Sequence, residues 1–138
     1  MKTFKDFGHQ GDLNFRTVDS IPEGATDITD SLKDPARGGF TIALGEVSGH
    51  AHTIVGENVK IFEKEINCEI HKQKERRRFI KIVSSPAKLL HGTFTAPGEI
   101  KEIEADRHDI EILPVGITEQ GFEVGYDPFL KQLKKVID

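Results

Sequence analysis

The sequence predicts an all-β domain, a small barrel or a sandwich. Three observations lead there. Polar and apolar residues alternate with a period of two over Asp12–Val18, over Val59–Ile70 and again from Ile110, the pattern of strands with one buried face. Glycine (13 residues) and proline (6 residues) recur at short intervals and bound these stretches with turn signals. Sustained helical periodicity is scarce before the C-terminal tail. Short strands separated by turns are how barrels and sandwiches read.

In order along the chain, Leu13 and Phe15 alternate with Asn14 and Arg16 in a first strand. Residues 21–39 contain Pro22, Gly24, Pro35, Gly38 and Gly39 among polar residues and predict a long loop. Phe40–Leu44 reads as a second strand, and His52–Val55 as a third that ends in the turn Gly56-Glu57-Asn58. Val59, Ile61 and Glu63 then share one face, with Lys60, Phe62 and Lys64 on the other, and Ile66, Cys68 and Ile70 continue the alternation. Phe79–Val83 predicts another strand. Residues 92–105 carry Pro97-Gly98 and the acids Glu99, Glu102 and Glu104, and read as an insertion between strands, a loop or small hairpin. Ile110–Leu113 runs to Pro114 and Gly116, and Phe122–Tyr126 resumes the alternation. Asp127 as cap and Pro128 at the first position predict a short C-terminal helix, with Phe129, Leu130, Leu133, Val136 and Ile137 as its apolar side, or else an extended tail. There is no internal repeat, so residues 1–138 are expected to form a single β-domain.

Composition narrows the function classes. Lys and Arg total 19 against 23 Asp and Glu, a net charge of −4, which argues against a surface built to grip nucleic acid. A hydrophobic share of 36% with 30% charged residues suits a soluble domain with a modest core. No apolar run approaches the roughly 18 residues a membrane span needs. The start, MKTFKDFGHQ, lacks the apolar stretch of a secretory signal, so a cytoplasmic location is expected. Cys68 is the sole cysteine and forms no intrachain disulfide, in keeping with a reducing compartment.

The sharpest local feature is Gly45-Glu46-Val47-Ser48-Gly49-His50-Ala51-His52. On a strand, His50 and His52 point to the same face and can chelate one ion. His91 closes the apolar run Ala87-Lys88-Leu89-Leu90, and His108 opens the stretch Asp109–Leu113, so each is expected at a strand end. Together His50, His52, His91 and His108 offer three or four nitrogen donors for a divalent ion such as zinc, iron or manganese. If such an ion carries an open position, Glu46, Glu57 or Glu111 is the candidate general base beside a metal-bound water. The bland alternative is that the imidazoles hydrogen-bond turns at one end of the domain.

Gly45, His50, His52 and Glu57 follow a pattern that resembles the first motif of cupins, whose glycine, H-x-H pair and glutamate bind metal in many members. Here four residues separate the glycine from the first histidine where cupins have five, and Glu119 after Pro114-Val115-Gly116 stands where their second motif has a histidine. The chain is also similar to an uncharacterised family of small bacterial and phage proteins with a G-E-V-T-G-H-A-H motif. The counterparts are Gln10-Gly11-Asp12-Leu13, Val18 to Gly24, Gly45 to His52, His108 to Gly116 and Tyr126-Asp127-Pro128, which span nearly the whole chain. That resemblance implies no activity and raises the prospect of a phage origin.

Other signals are weaker. Lys72-Gln73-Lys74-Glu75-Arg76-Arg77-Arg78 can contact phosphate but reads as a solvated turn, because no aromatic platform accompanies it. Gly38-Gly39 is not followed by the G-K-[ST] of a phosphate loop. Ser48, Ser84 and Ser85 lack a nucleophile-elbow pattern, and Cys68 reads as a core residue. The leading expectation is a β-domain whose histidine cluster binds a divalent metal ion. The rival is a phage-particle structural or interaction module without catalysis, self-associating or docked on phage structural proteins, with neither nucleic acid nor membrane as partner.

Overall fold

The computed structural model describes residues 2–3, 7–10, 13–44, 50–68, 73–101 and 110–122. These residues form two sheets. The first runs in the order β1 (Lys2–Thr3), β12 (Ile110–Leu113), β10 (Ala87–Ala96), β7 (His50–Val55), β6 (Gly39–Leu44) and β5 (Lys33–Asp34), with β11 (Glu99–Ile100) also paired to β10. The second runs β2 (Phe7–Gln10), β3 (Leu13–Val18), β13 (Gly116–Phe122), β9 (Gln73–Ile82), β8 (Val59–Cys68) and β4 (Thr26–Asp27). Among the described strands the β1–β12 pair is parallel and the others are antiparallel.

The sheets pack face to face as a sandwich, not a closed barrel. The period-two pattern supplies its core. Leu13, Phe15, Val59, Ile61, Ile80 and Ile82 from the second sheet meet Ile42, Ile54, Ala87, Leu89 and Leu113 from the first. Burying these apolar faces against each other is what holds two half-wet sheets together.

Several segments differ from the sequence expectation. Residues 21–39 are not a plain loop. They hold β4, a single 3-10 turn (Thr29–Leu32) and β5, pinned to the second sheet where Thr29 Oγ1 accepts the Ile61 amide at 2.8 Å. β10 runs on through Gly92 to Ala96 and turns at Pro97-Gly98 into β11, so His91 lies within a strand rather than at its end. The basic run is not a turn, because β9 starts at Gln73 and extends through Arg76, Arg77 and Arg78. The stretch after Pro114 is strand β13, which the mixed residues Ile117-Thr118-Glu119-Gln120 concealed. The expected C-terminal helix and the segment around His108 lie outside the described residues.

The β5–β6 hairpin shows one strict backbone demand. Asp34 accepts Arg37 Nη1 at 2.6 Å and Thr41 Oγ1 at 2.7 Å, which closes the turn. Gly38 then takes φ +81°, and a Cβ there would lie 2.7 Å from the Gly98 amide nitrogen. Glycine meets both the positive φ and the close approach to the β10–β11 turn.

Candidate functional site

The inner face of the first sheet changes character along β7 and β10. Ile54 stands opposite Leu89 in the core, and one row further His52 stands opposite His91, with His50 opposite Thr93 in the next. Antiparallel pairing puts directly opposed residues on one face, so the two strands deliver all three imidazoles to the same end of the sandwich. His52 and His91 are stacked, with ring centres 3.9 Å apart and planes within 7°. His50 meets His91 edge to face, centres 6.0 Å apart at 90°.

His52 is 1% exposed, whereas His50 and His91 are half-buried. Burial, and then the neighbouring His91 and His50, push the His52 pKa down to about 3, so the ring is neutral at physiological pH. Its polar partner comes from the opposite sheet. Gln10, at the end of β2 and 3% exposed, approaches His52 Nδ1 with its Oε1 at 2.9 Å. The same amide donates from Nε2 to the Leu89 carbonyl at 3.0 Å. One side chain thus ties the second sheet to two neighbouring strands of the first.

The stacked pair limits what these rings do together. An imidazole lone pair lies in the ring plane, so two parallel rings 3.9 Å apart do not both aim at one ion. His50 and His91 do not share that restriction. With metal–nitrogen bonds of about 2.1 Å, two imidazoles on one ion have ring centres roughly 5–6.5 Å apart, and theirs are 6.0 Å apart. Among the described residues, no three His, Cys, Asp or Glu side chains come together in an arrangement able to hold a metal ion. His108 and Glu46 lie outside the described residues.

The candidate bases separate. Glu111 is 4% exposed and stands opposite Leu89, one row deeper than the His52–His91 pair. Glu57 is exposed in the turn after β7. Five strand steps of about 3.3 Å from His50 to Val55 carry it roughly 16 Å along the sheet. Glu57 therefore takes no part at the histidine end, and the glutamate of the cupin-like pattern has no structural counterpart there. Glu119 serves a different purpose, since it accepts Arg16 Nε and Arg77 Nη1, each at 2.7 Å.

Gln10 is the participant that sequence reasoning missed. It lies 42 residues from His52 and 79 from Leu89 along the chain, and no spacing rule links them. Its only sequence signal was its place in the Gln10-Gly11-Asp12-Leu13 stretch.

Fold and site define a class: a two-sheet all-β sandwich with a histidine-rich inner end. Residues 9–105 match the family model described as a domain of unknown function, DUF8820, and the chain belongs to that family. The match takes in Gln10, His50, His52 and His91 and ends before His108. No curated protein and no solved structure matches the chain. Among the described residues no helix is long and apolar enough to cross a membrane.

Proposed function

We propose that this domain binds a divalent transition-metal ion at the histidine end of the sandwich. The observation that carries the reading is the His50–His91 pair, two imidazoles from neighbouring strands whose ring centres lie at a separation that a shared ion accommodates. His52, neutral and stacked on His91, supports that ring's plane, and it joins the ligands only by leaving the stack. His108 is the proposed third donor. It precedes Ile110 by two residues, and Ile110 pairs with Leu90 beside His91. An all-imidazole donor set suits zinc or iron better than manganese.

The test is metal content and calorimetric titration of chelator-treated protein with Zn2+, Fe2+ and Mn2+. Binding at one ion per chain, lost in the His50→Ala/His52→Ala double variant and in His108→Ala, supports the reading. Wild-type protein indifferent to all three ions sinks it and leaves an interaction module as the function.

A further inference from the structure

The polar chain Leu89–Gln10–His52 has a definite direction. The Leu89 carbonyl oxygen only accepts, so the Gln10 atom 3.0 Å from it is the amide nitrogen. The other end of that amide is then a carbonyl oxygen, which also only accepts. His52 Nδ1, 2.9 Å away, must therefore donate. A neutral imidazole carries one N–H, so Nε2 keeps a bare lone pair. Both hydrogen bonds are buried, and turning the amide over would set two oxygens against each other at one end and leave Nδ1 facing NH2 at the other.

We infer that Gln10 is a positioning residue that locks His52 as the Nδ1–H tautomer, so that the histidine end receives electron-pair acceptors through His52 Nε2. The ligand class follows from the lone pair. A metal cation, or a protic group such as the water on an ion held by His50 and His91, is accepted there. An anion or a bare carbonyl is refused. The inference deepens the metal-site reading and rests on it for the nature of the ligand, while the tautomer itself stands on the hydrogen bonds alone. Metal-ligating histidines commonly donate their second ring nitrogen to an oxygen in this way.

The experiment is a long-range 1H–15N correlation of the histidine side chains in metal-free, 15N-labelled full-length protein near pH 7. The expected spectrum has His52 with a protonated Nδ1 and an unprotonated Nε2. Gln10→Met, which fills the space without an acceptor, should move His52 towards a mixture dominated by Nε2–H. Gln10→Glu, which restores an acceptor, should return the Nδ1–H pattern. A wild-type His52 protonated at Nε2 overturns the inference, as does a Gln10→Met spectrum identical to wild type. If Gln10→Met does not fold, the wild-type spectrum alone still decides. Addition of Zn2+ to the wild-type sample then separates the two readings. A shift of the His52 Nε2 signal supports both. Unmoved His50, His52 and His91 signals with the tautomer intact remove the metal site and leave the positioning role standing. His50 and His91 signals that move while His52 Nε2 does not overturn the inference that His52 Nε2 receives the ligand.

Discussion

Arg78 reaches from β9 in the second sheet to the main-chain carbonyl of Ile42 on β6 in the first. Ile42 sits where the β6–β7 register shifts between Thr41 and Ala43, so its backbone is displaced from the regular ladder. Ala43, the next residue, stands opposite His52. The cation therefore satisfies a carbonyl that the bulge leaves to other partners, one step from the histidine row. Together with Gln10 it makes a second polar tie between the sheets, and Glu63 lies 3.9 Å from its Nε.

Replacing Arg78 with Met keeps the aliphatic stem and removes the donor. Leaving a largely buried carbonyl unsatisfied costs about 1–3 kcal/mol. Thermal unfolding should show a fall in Tm of several degrees, on the order of 3–8 °C for a domain of this size. An unchanged midpoint would mean that water replaces the guanidinium without cost.

Glu119 predicts an acid-sensitive component of stability. Burial pushes its carboxyl up, but the hydrogen bonds and charges of Arg77 and Arg16 together outweigh burial and hold it below the ordinary value of 4.5. A depressed carboxyl stabilises the fold above its unfolded pKa, and that contribution fades as pH falls below 4.5 through the folded value. Glu119→Gln should lower stability by about 1–2 kcal/mol at pH 7, because both arginines are partly exposed and recover solvation. In urea unfolding at pH 7 and pH 3.5, the gap between variant and wild type should narrow at the lower pH. A gap that stays constant refutes the assignment.

His52 predicts a separate window at higher pH. Its pKa falls from 6.5 in the free residue to about 3 in the fold, chiefly through burial. The neutral form is the folded form, so its stabilisation is complete above pH 6.5 and erodes as pH drops towards 3. Between pH 6.5 and 4.5, His52→Gln should flatten the decline of unfolding free energy with acid relative to wild type. Parallel curves across that interval would show that His52 titrates as an ordinary exposed histidine.

The strands were legible where alternation is chemically clean. Leu13 and Phe15, Val59 and Ile61, and Ile80 and Ile82 declare a buried face, and that face is the core. β9 and β13 were harder because their polar residues pair within the sandwich or across its outer face. Arg78 looks inward to Ile42 and Glu63, Arg77 outward to Glu119, and a run of three arginines resembles solvated chain until those partners are known. The His50–His52 face followed from the period of two. His91 stands out in the sequence as a histidine closing an apolar run, but its position directly opposite His52 within β10 depends on register between strands far apart in sequence. Gln10 depends on the packing of one sheet against the other, which no local pattern encodes.

The stack between His52 and His91 allows packing and ligation to be separated at one position. His91→Phe keeps a flat ring of similar breadth to lie on His52 and removes both nitrogens. A shape-conserving change of this kind costs less than about 1.5 kcal/mol, whereas His91→Ala withdraws the ring and opens space beside a buried imidazole. On the metal-site reading, His91→Phe should unfold within a few degrees of the chelator-treated wild type, yet its affinity for Zn2+ should fall at least tenfold, because His50 loses the imidazole 6.0 Å away that completes its pair. His91→Ala should lose both stability and zinc. If His91→Phe binds zinc as wild type does, His91 is a packing residue and the ion, where bound, rests on His50, His52 and His108. If His91→Phe is as destabilised as His91→Ala, polar interactions of the His91 nitrogens contribute more to stability than the stack does.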